Sequence, residues 1–145
     1  MTDIKLNWSN LSEPLDGVFT AGQPDEAQIA NAAEQGVKSI VNLCAEGEAG
    51  FDEGAEVEDR GMRYFHIPVC GPQDVCEDKA RELDKLLEDE SLRPMIVHCG
   101  SANRVGALFA LREFHCKDAG ADAAIAAGKE AGLAGLESRV RECLS

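Results

Sequence analysis

Four short β-rich segments, each followed by a helical pattern, limit this chain to one class of fold. The segments are residues 18–20, 38–43, 63–67 and 94–97. Pro24 and Asp25 open a helix in which Ile29, Ala30 and Ala33 fall at helical spacing, and Gly36 ends it. Residues 55–60 form a short helix closed by Gly61. Across residues 75–89, Cys76, Ala80, Leu83 and Leu87 share one helical face. Residues 105–116 are mostly apolar and predict a buried helix, and residues 122–131 and 136–144 close the chain as two more. Strands that alternate with helices give an α/β domain with a central, mostly parallel sheet flanked by helices. The length of 145 residues fits one domain, residues 1–145.

Composition excludes several functions. Fourteen Lys and Arg against 27 Asp and Glu leave a net charge of −13. Nucleic-acid binding relies on neutralising phosphates, and anionic membrane surfaces attract basic segments, so neither partner is expected. No apolar run approaches the ~20 residues that span a bilayer. The start Met1-Thr2-Asp3-Ile4-Lys5 has neither the basic end nor the apolar stretch of a secretory signal, so a cytoplasmic setting is expected. Six cysteines, at 44, 70, 76, 99, 116 and 143, are therefore expected to be reduced. None forms a Cys-x-x-Cys pair, so no zinc site is expected. Most are expected to act as small buried hydrophobes. No cofactor is implied, and oligomeric state is not readable.

Cys99 is the exception. In α/β sheets ligands bind beyond the carboxyl ends of strands, and residues 95–99 put a cysteine there, immediately before a helix. The loop reads His98-Cys99-Gly100-Ser101-Ala102-Asn103-Arg104-Val105-Gly106. Small residues let the backbone curl so that successive N–H groups form an anion-binding nest, and the helix N-terminus adds its own N–H groups and dipole. A thiol there ionises readily. Arg104 can fold over the loop and hold an oxyanion by a two-pronged contact. The set is a nucleophile, a nest for three oxygens and a clamp.

His-Cys-x4-Arg-x-Gly after a strand resembles the signature loop of cysteine-based protein tyrosine and dual-specificity phosphatases, one residue shorter. The four-residue spacing is that of a bacterial family of undefined function, which includes the phosphatase-like part of beta-lactamase-hydrolase-like proteins. The resemblance extends over residues 15–24, 36–43 and 61–69, and over Ala131-Gly132-Leu133 with Leu136, so it runs from about residue 11 to 144. It implies a protein tyrosine phosphatase-like fold. It implies Cys99 as nucleophile and Arg104 as phosphate clamp. Gly100, Ser101, Ala102, Asn103 and Val105 would line the phosphate site, and His98 would support the nucleophile or simply be a satisfied histidine at a strand end. Some residues depart from the family. Ala102 stands where glycine is usual, and Val105 replaces a Ser or Thr whose hydroxyl would help the thiolate leave. Cys44 and Gly100 occupy places where relatives often carry arginine. Slow or narrow activity would follow.

The resemblance places the general acid on the loop after the third strand. The candidates are Asp74, Glu77 and Asp78, with Asp74 nearest that strand. Asp74 and Glu77 also read as a capping-box-like start for the next helix. Glu46, Glu48 and Asp52 are alternatives on another loop, otherwise a solvated acidic stretch. Three functions remain open: a phosphatase working through a phosphocysteine on a phosphorylated small molecule or protein, a rhodanese-like sulfurtransferase, and a non-catalytic phosphate-binding module.

Overall fold

The structure is a computed structural model that describes residues 4–144. A five-stranded sheet, ordered β1-β2-β5-β3-β4, forms its centre. The strands are β1 (Ser12–Leu15), β2 (Val18–Ala21), β3 (Ser39–Asn42), β4 (Arg63–His66) and β5 (Met95–His98). β2, β5, β3 and β4 are mutually parallel, as the alternation predicts. β1 is additional and turns back antiparallel on β2. Its trace in the sequence is Asp16-Gly17, a strong hairpin dipeptide, with Gly17 at φ +79°. The strand itself is only partly buried and contains Pro14, which suits an edge position and mutes its β signal.

The helices of the described residues are α1 (Glu26–Glu34), α2 (Glu53–Asp59), α3 (Glu77–Leu87), α4 (Asn103–Cys116), α5 (Ala121–Glu130) and α6 (Glu137–Cys143). Asp25 caps α1 through a reciprocal box with Gln28, at 2.8 and 2.9 Å. α2 starts two residues earlier than expected because Asp52 accepts the Ala55 N–H at 3.1 Å. That shift moves Glu53 out of the acidic loop and into the interior. α3 starts later, with Cys76 at its cap, so Asp74 is not its N-cap. Asp74 ends a 3-10 turn, Pro72–Asp74, and its carboxylate accepts the Cys70 N–H at 2.9 Å. The local side-chain-to-backbone bond has displaced the cap.

Successive strand residues feed opposite faces of the sheet. Val41 and Val97 join Leu83, Leu87, Leu108 and Leu111 on one face. Ile40 and Ile96 join Trp8, Phe19, Ile29 and Val57 on the other. α4 is buried from Val105 to Arg112, as its apolar sequence predicts. The cysteines correct an expectation, since only Cys44 and Cys99 are buried. Cys76 caps α3, Cys116 and Cys143 end α4 and α6, and Cys70 is exposed on a loop. Helix ends leave Cys76, Cys116 and Cys143 half-buried, and the loop leaves Cys70 exposed. No helix of the described residues is long and apolar enough to cross a membrane, and none of their side chains form a group able to hold a metal ion.

Candidate active site

The carboxyl ends of three strands meet at His98, which lies in register with Ala21 of β2 and Asn42 of β3. The Cys99 N–H donates to the Ala21 carbonyl at 3.2 Å, and the Gln23 N–H donates to the Gly100 carbonyl at 3.2 Å. The outer side of the loop is thus stitched to the segment after β2. Gly22 permits this approach, because a Cβ there would lie 2.7 Å from the Gly100 oxygen. The first backbone bond of α4 runs from the Gly106 N–H to the Ala102 carbonyl at 2.9 Å. The N–H groups of Asn103, Arg104 and Val105 precede that ladder, as donors of a helix N-terminus do.

Ala102 closes the loop in the left-handed region, at φ +71°. Alanine there costs about 1–2 kcal/mol that glycine would not. The turn before α6 holds it in place. The Ala102 methyl sits over Gly132, where a Cβ would be 2.5 Å away. The Asn103 Oδ1 accepts from the Ala134 N–H at 2.8 Å and the Leu136 N–H at 3.3 Å. Asn103 therefore braces the loop from behind. Val105 is fully buried in the core, and Gly100 and Ser101 are exposed.

Arg104 lies beside Gly100, its Nη2 3.2 Å from where a Cβ would stand. Its two terminal nitrogens grip Glu48, Nη1 at 3.0 Å and Nη2 at 3.1 Å. Nη1 also donates to the Val69 carbonyl at 3.0 Å. The Nε hydrogen has no acceptor among the described residues, so the Nε edge is the side left for an oxyanion. Glu48 is exposed, as expected of a loop acid, but it is paired with Arg104 and not free. Its carboxylate bridges Arg104 and the Ala45 N–H. The hydrogen bonds from Arg104 hold its carboxyl below the usual 4.5, although partial burial opposes them. Beside the pair, the Cys44 thiol is 3.9 Å from Nη2 and donates to the Gln23 Oε1 at 3.4 Å. Burial, then Glu48, push that thiol up to about 12, so it is neutral.

His98 is enclosed, and its Nε2 meets the Glu53 Oε2 at 2.5 Å. The other Glu53 oxygen accepts from the Gln23 Nε2 at 3.1 Å, and Trp8 stands edge-on to the imidazole at 6.0 Å. His98 is therefore satisfied in the way a strand-end histidine should be. It also ties the first turn of α2 to β5, the strand before Cys99. Glu53 escapes sequence reasoning because its partner is 45 residues away; the one available signal was Asp52 as a cap, which places Glu53 on a helix.

Among the acids after β4, Glu77 is turned to Arg81 at 2.7 Å and His115 at 3.5 Å, and Asp78 is exposed. Asp74 is half-buried and bonded to Cys70, the neighbour of the residue whose carbonyl holds Arg104. Glu46 and Asp52 are exposed on the acidic loop.

The lowered Glu48 carboxyl makes a pH prediction. A depressed carboxyl adds stability above its unfolded-state pKa, and that stability is lost as pH falls through the folded-state value. The stability difference between wild type and Glu48→Gln is expected to be constant near neutrality and to vanish only below the usual carboxylate range. Because Glu48 is 40% exposed, the difference should stay under about 1 kcal/mol. Thermal melts of both proteins between pH 7 and pH 3 would check this.

No protein-family model matches the chain. A beta-lactamase hydrolase-like protein of Agrobacterium fabrum is 35% identical over 98 residues, which cover 64% of this chain and 22% of that protein. The chain thus spans about a fifth of the length of this relative. Inositol diphosphatase DSP2 of Oryza sativa subsp. japonica is 28% identical over 95 residues, 62% of this chain and 46% of that one. Among solved structures, Tk-PTP in its active form superposes with a TM-score of 0.75 at 17% identity, covering 94% of this chain and 97% of that one. P. aeruginosa TpbA in complex with phosphotyrosine gives 0.65 at 17% identity, over 93% and 82%. At these identities the superpositions speak for the fold. The chain thus shares the fold of these phosphatase structures, and it carries a Cys-x4-Arg loop directly after its central strand.

Proposed function

We propose that the chain is a cysteine-dependent phosphatase acting on phosphomonoesters. The observation that carries this reading is the placement of Cys99. It directly follows the central strand, lies on the loop that leads into the N-terminus of α4, and has Arg104 beside the same loop. The Cys99 thiolate attacks phosphorus, an S–P bond forms, and the ester P–O bond breaks. The leaving oxygen takes a proton, for which Asp74 is the candidate donor. Water then attacks phosphorus, releases phosphate and restores the thiolate. The N–H groups and the Nε edge of Arg104 receive charge on the equatorial oxygens. Val105 offers no hydroxyl to the departing sulfur, so hydrolysis of the S–P bond is the slow step.

Rapid mixing with an aryl phosphate, acid quench and peptide mass spectrometry test this. The expected result is a phosphoryl group on Cys99, with a burst of the aryl alcohol before a slow steady rate. A persulfide on Cys99 after exposure to thiosulfate, with no phosphoryl adduct from the ester, would favour the sulfurtransferase reading instead. TpbA was solved with phosphotyrosine and DSP2 is named an inositol diphosphatase. Both support a phosphorylated substrate.

Arg104→Lys keeps the charge but loses the planar fork. Phosphate or vanadate affinity is expected to fall by about 1.5–3 kcal/mol, the worth of a charged hydrogen bond. Titration calorimetry would show it, and unchanged affinity would mean that Arg104 does not hold the oxyanion.

A further inference from the structure

We infer that Glu48 makes the site a charge filter, restricting it to esters with a single phosphate on a neutral or cationic body. This rests on the phosphatase reading of Cys99 and Arg104. The guanidinium of Arg104 is already half-committed, since both Nη atoms face the two oxygens of Glu48. The Ala45 N–H fixes the same carboxylate from behind, so Glu48 is held beside the clamp and does not swing freely in solvent. One phosphate can still be met by the α4 N–H groups and the Nε edge. A second phosphate on the same ester needs a cation of its own.

The surroundings offer carboxylates instead. The loop that carries Glu48 forms one wall of a cleft of about 420 Å³ beyond the ends of β3 and β4. Glu46, Asp52 and Glu53 line it together with Phe51, Tyr64 and His66, and no Lys or Arg does. Gly100 brings no charge to the loop, and Cys44 beside Arg104 is a neutral thiol. Arg139 is bonded to the Pro72 carbonyl at 2.8 Å and faces Glu142 at 3.6 Å. With a net charge of −13, the field over this face repels polyanions and tolerates an aromatic or cationic ester body.

The test is protection of Cys99 from iodoacetamide, followed on the Cys99 peptide, so that binding is read without turnover. Phenyl phosphate and inositol hexakisphosphate are the probes, with vanadate as the bare oxyanion. In wild type at low salt, phenyl phosphate is expected to protect at about tenfold lower concentration than inositol hexakisphosphate, the effect of one or two like charges at close range. Glu48→Gln keeps the shape and is expected to narrow that ratio several-fold. Raising the salt on wild type alone should narrow it too, by screening, which keeps the test open if the variant folds poorly. Equal or tighter protection by inositol hexakisphosphate in wild type, with vanadate also protecting, would overturn the filter and leave the oxyanion site standing. Protection by none of the three would overturn both readings.

Discussion

Gly106→Ala is expected to destabilise the folded domain by about 3 kcal/mol or more, beyond the usual range for overpacking because the obstacles are backbone. A Cβ at Gly106 would lie 2.0 Å from the Leu133 nitrogen, 2.5 Å from its Cα and 2.6 Å from the Gly128 carbonyl oxygen. No side chain can rotate away to relieve these contacts, so α4 and the segment after α5 would have to separate. Gly128 repeats the constraint from the other helix, where a Cβ would lie 2.7 Å from the Gly106 oxygen. Domains of this size hold only about 5–15 kcal/mol in all, so the loss is a large fraction. Gly120→Ala is the control, with nothing within 4 Å of its Cβ, and should stay within about 1 kcal/mol. Urea unfolding of the three proteins would decide. A Gly106→Ala protein as stable as wild type would mean that the two helices do not meet at this distance. Gly106 lies two residues after Arg104, so any shift of α4 also moves the clamp, and weaker vanadate binding should accompany lower stability.

Cys99→Ser is expected to lower turnover of aryl phosphates by about 10⁴-fold or more, the scale on which loss of a nucleophile is felt. Serine is similar in size, and Cys99 is fully buried, so the fold and the loop should survive. A serine hydroxyl is a weaker nucleophile than sulfur and has no base beside it in this loop. Vanadate or phosphate binding, measured by calorimetry, should persist in the variant, because the N–H groups and Arg104 remain. Residual turnover within tenfold of wild type would place the nucleophile elsewhere, and Cys44 would then be the thiol to examine.

The resemblance singles out the candidate loop after β5, and local chemistry indicates several of the element ends around it. Helix starts were legible where the cap lies beside its partner, as at Asp25 and Gln28. They were misplaced where a competing bond exists, as at Asp74, whose carboxylate prefers the Cys70 N–H. β1 was missed because an edge strand with a proline has weak periodicity, although Asp16-Gly17 pointed to a hairpin. The cysteines were misjudged because composition says how often a thiol is buried and nothing about whether it stands at an element end.

By itself the sequence determined the alternation of strands and helices, and hence a largely parallel sheet with Cys99 at a strand's carboxyl end. Those features depend on periodicity and on neighbours a few residues apart. Only the tertiary structure decided which distant groups meet. Glu48 and Arg104 are 56 residues apart, Glu53 and His98 are 45 apart, and Asn103 reaches the turn before α6 across 31. No local pattern encodes such pairs, because loop closure brings them together only after the sheet order has set which strand ends are adjacent. A chain with 27 acidic residues could have presented any of them to Arg104. The position of β3 beside β5 selected Glu48.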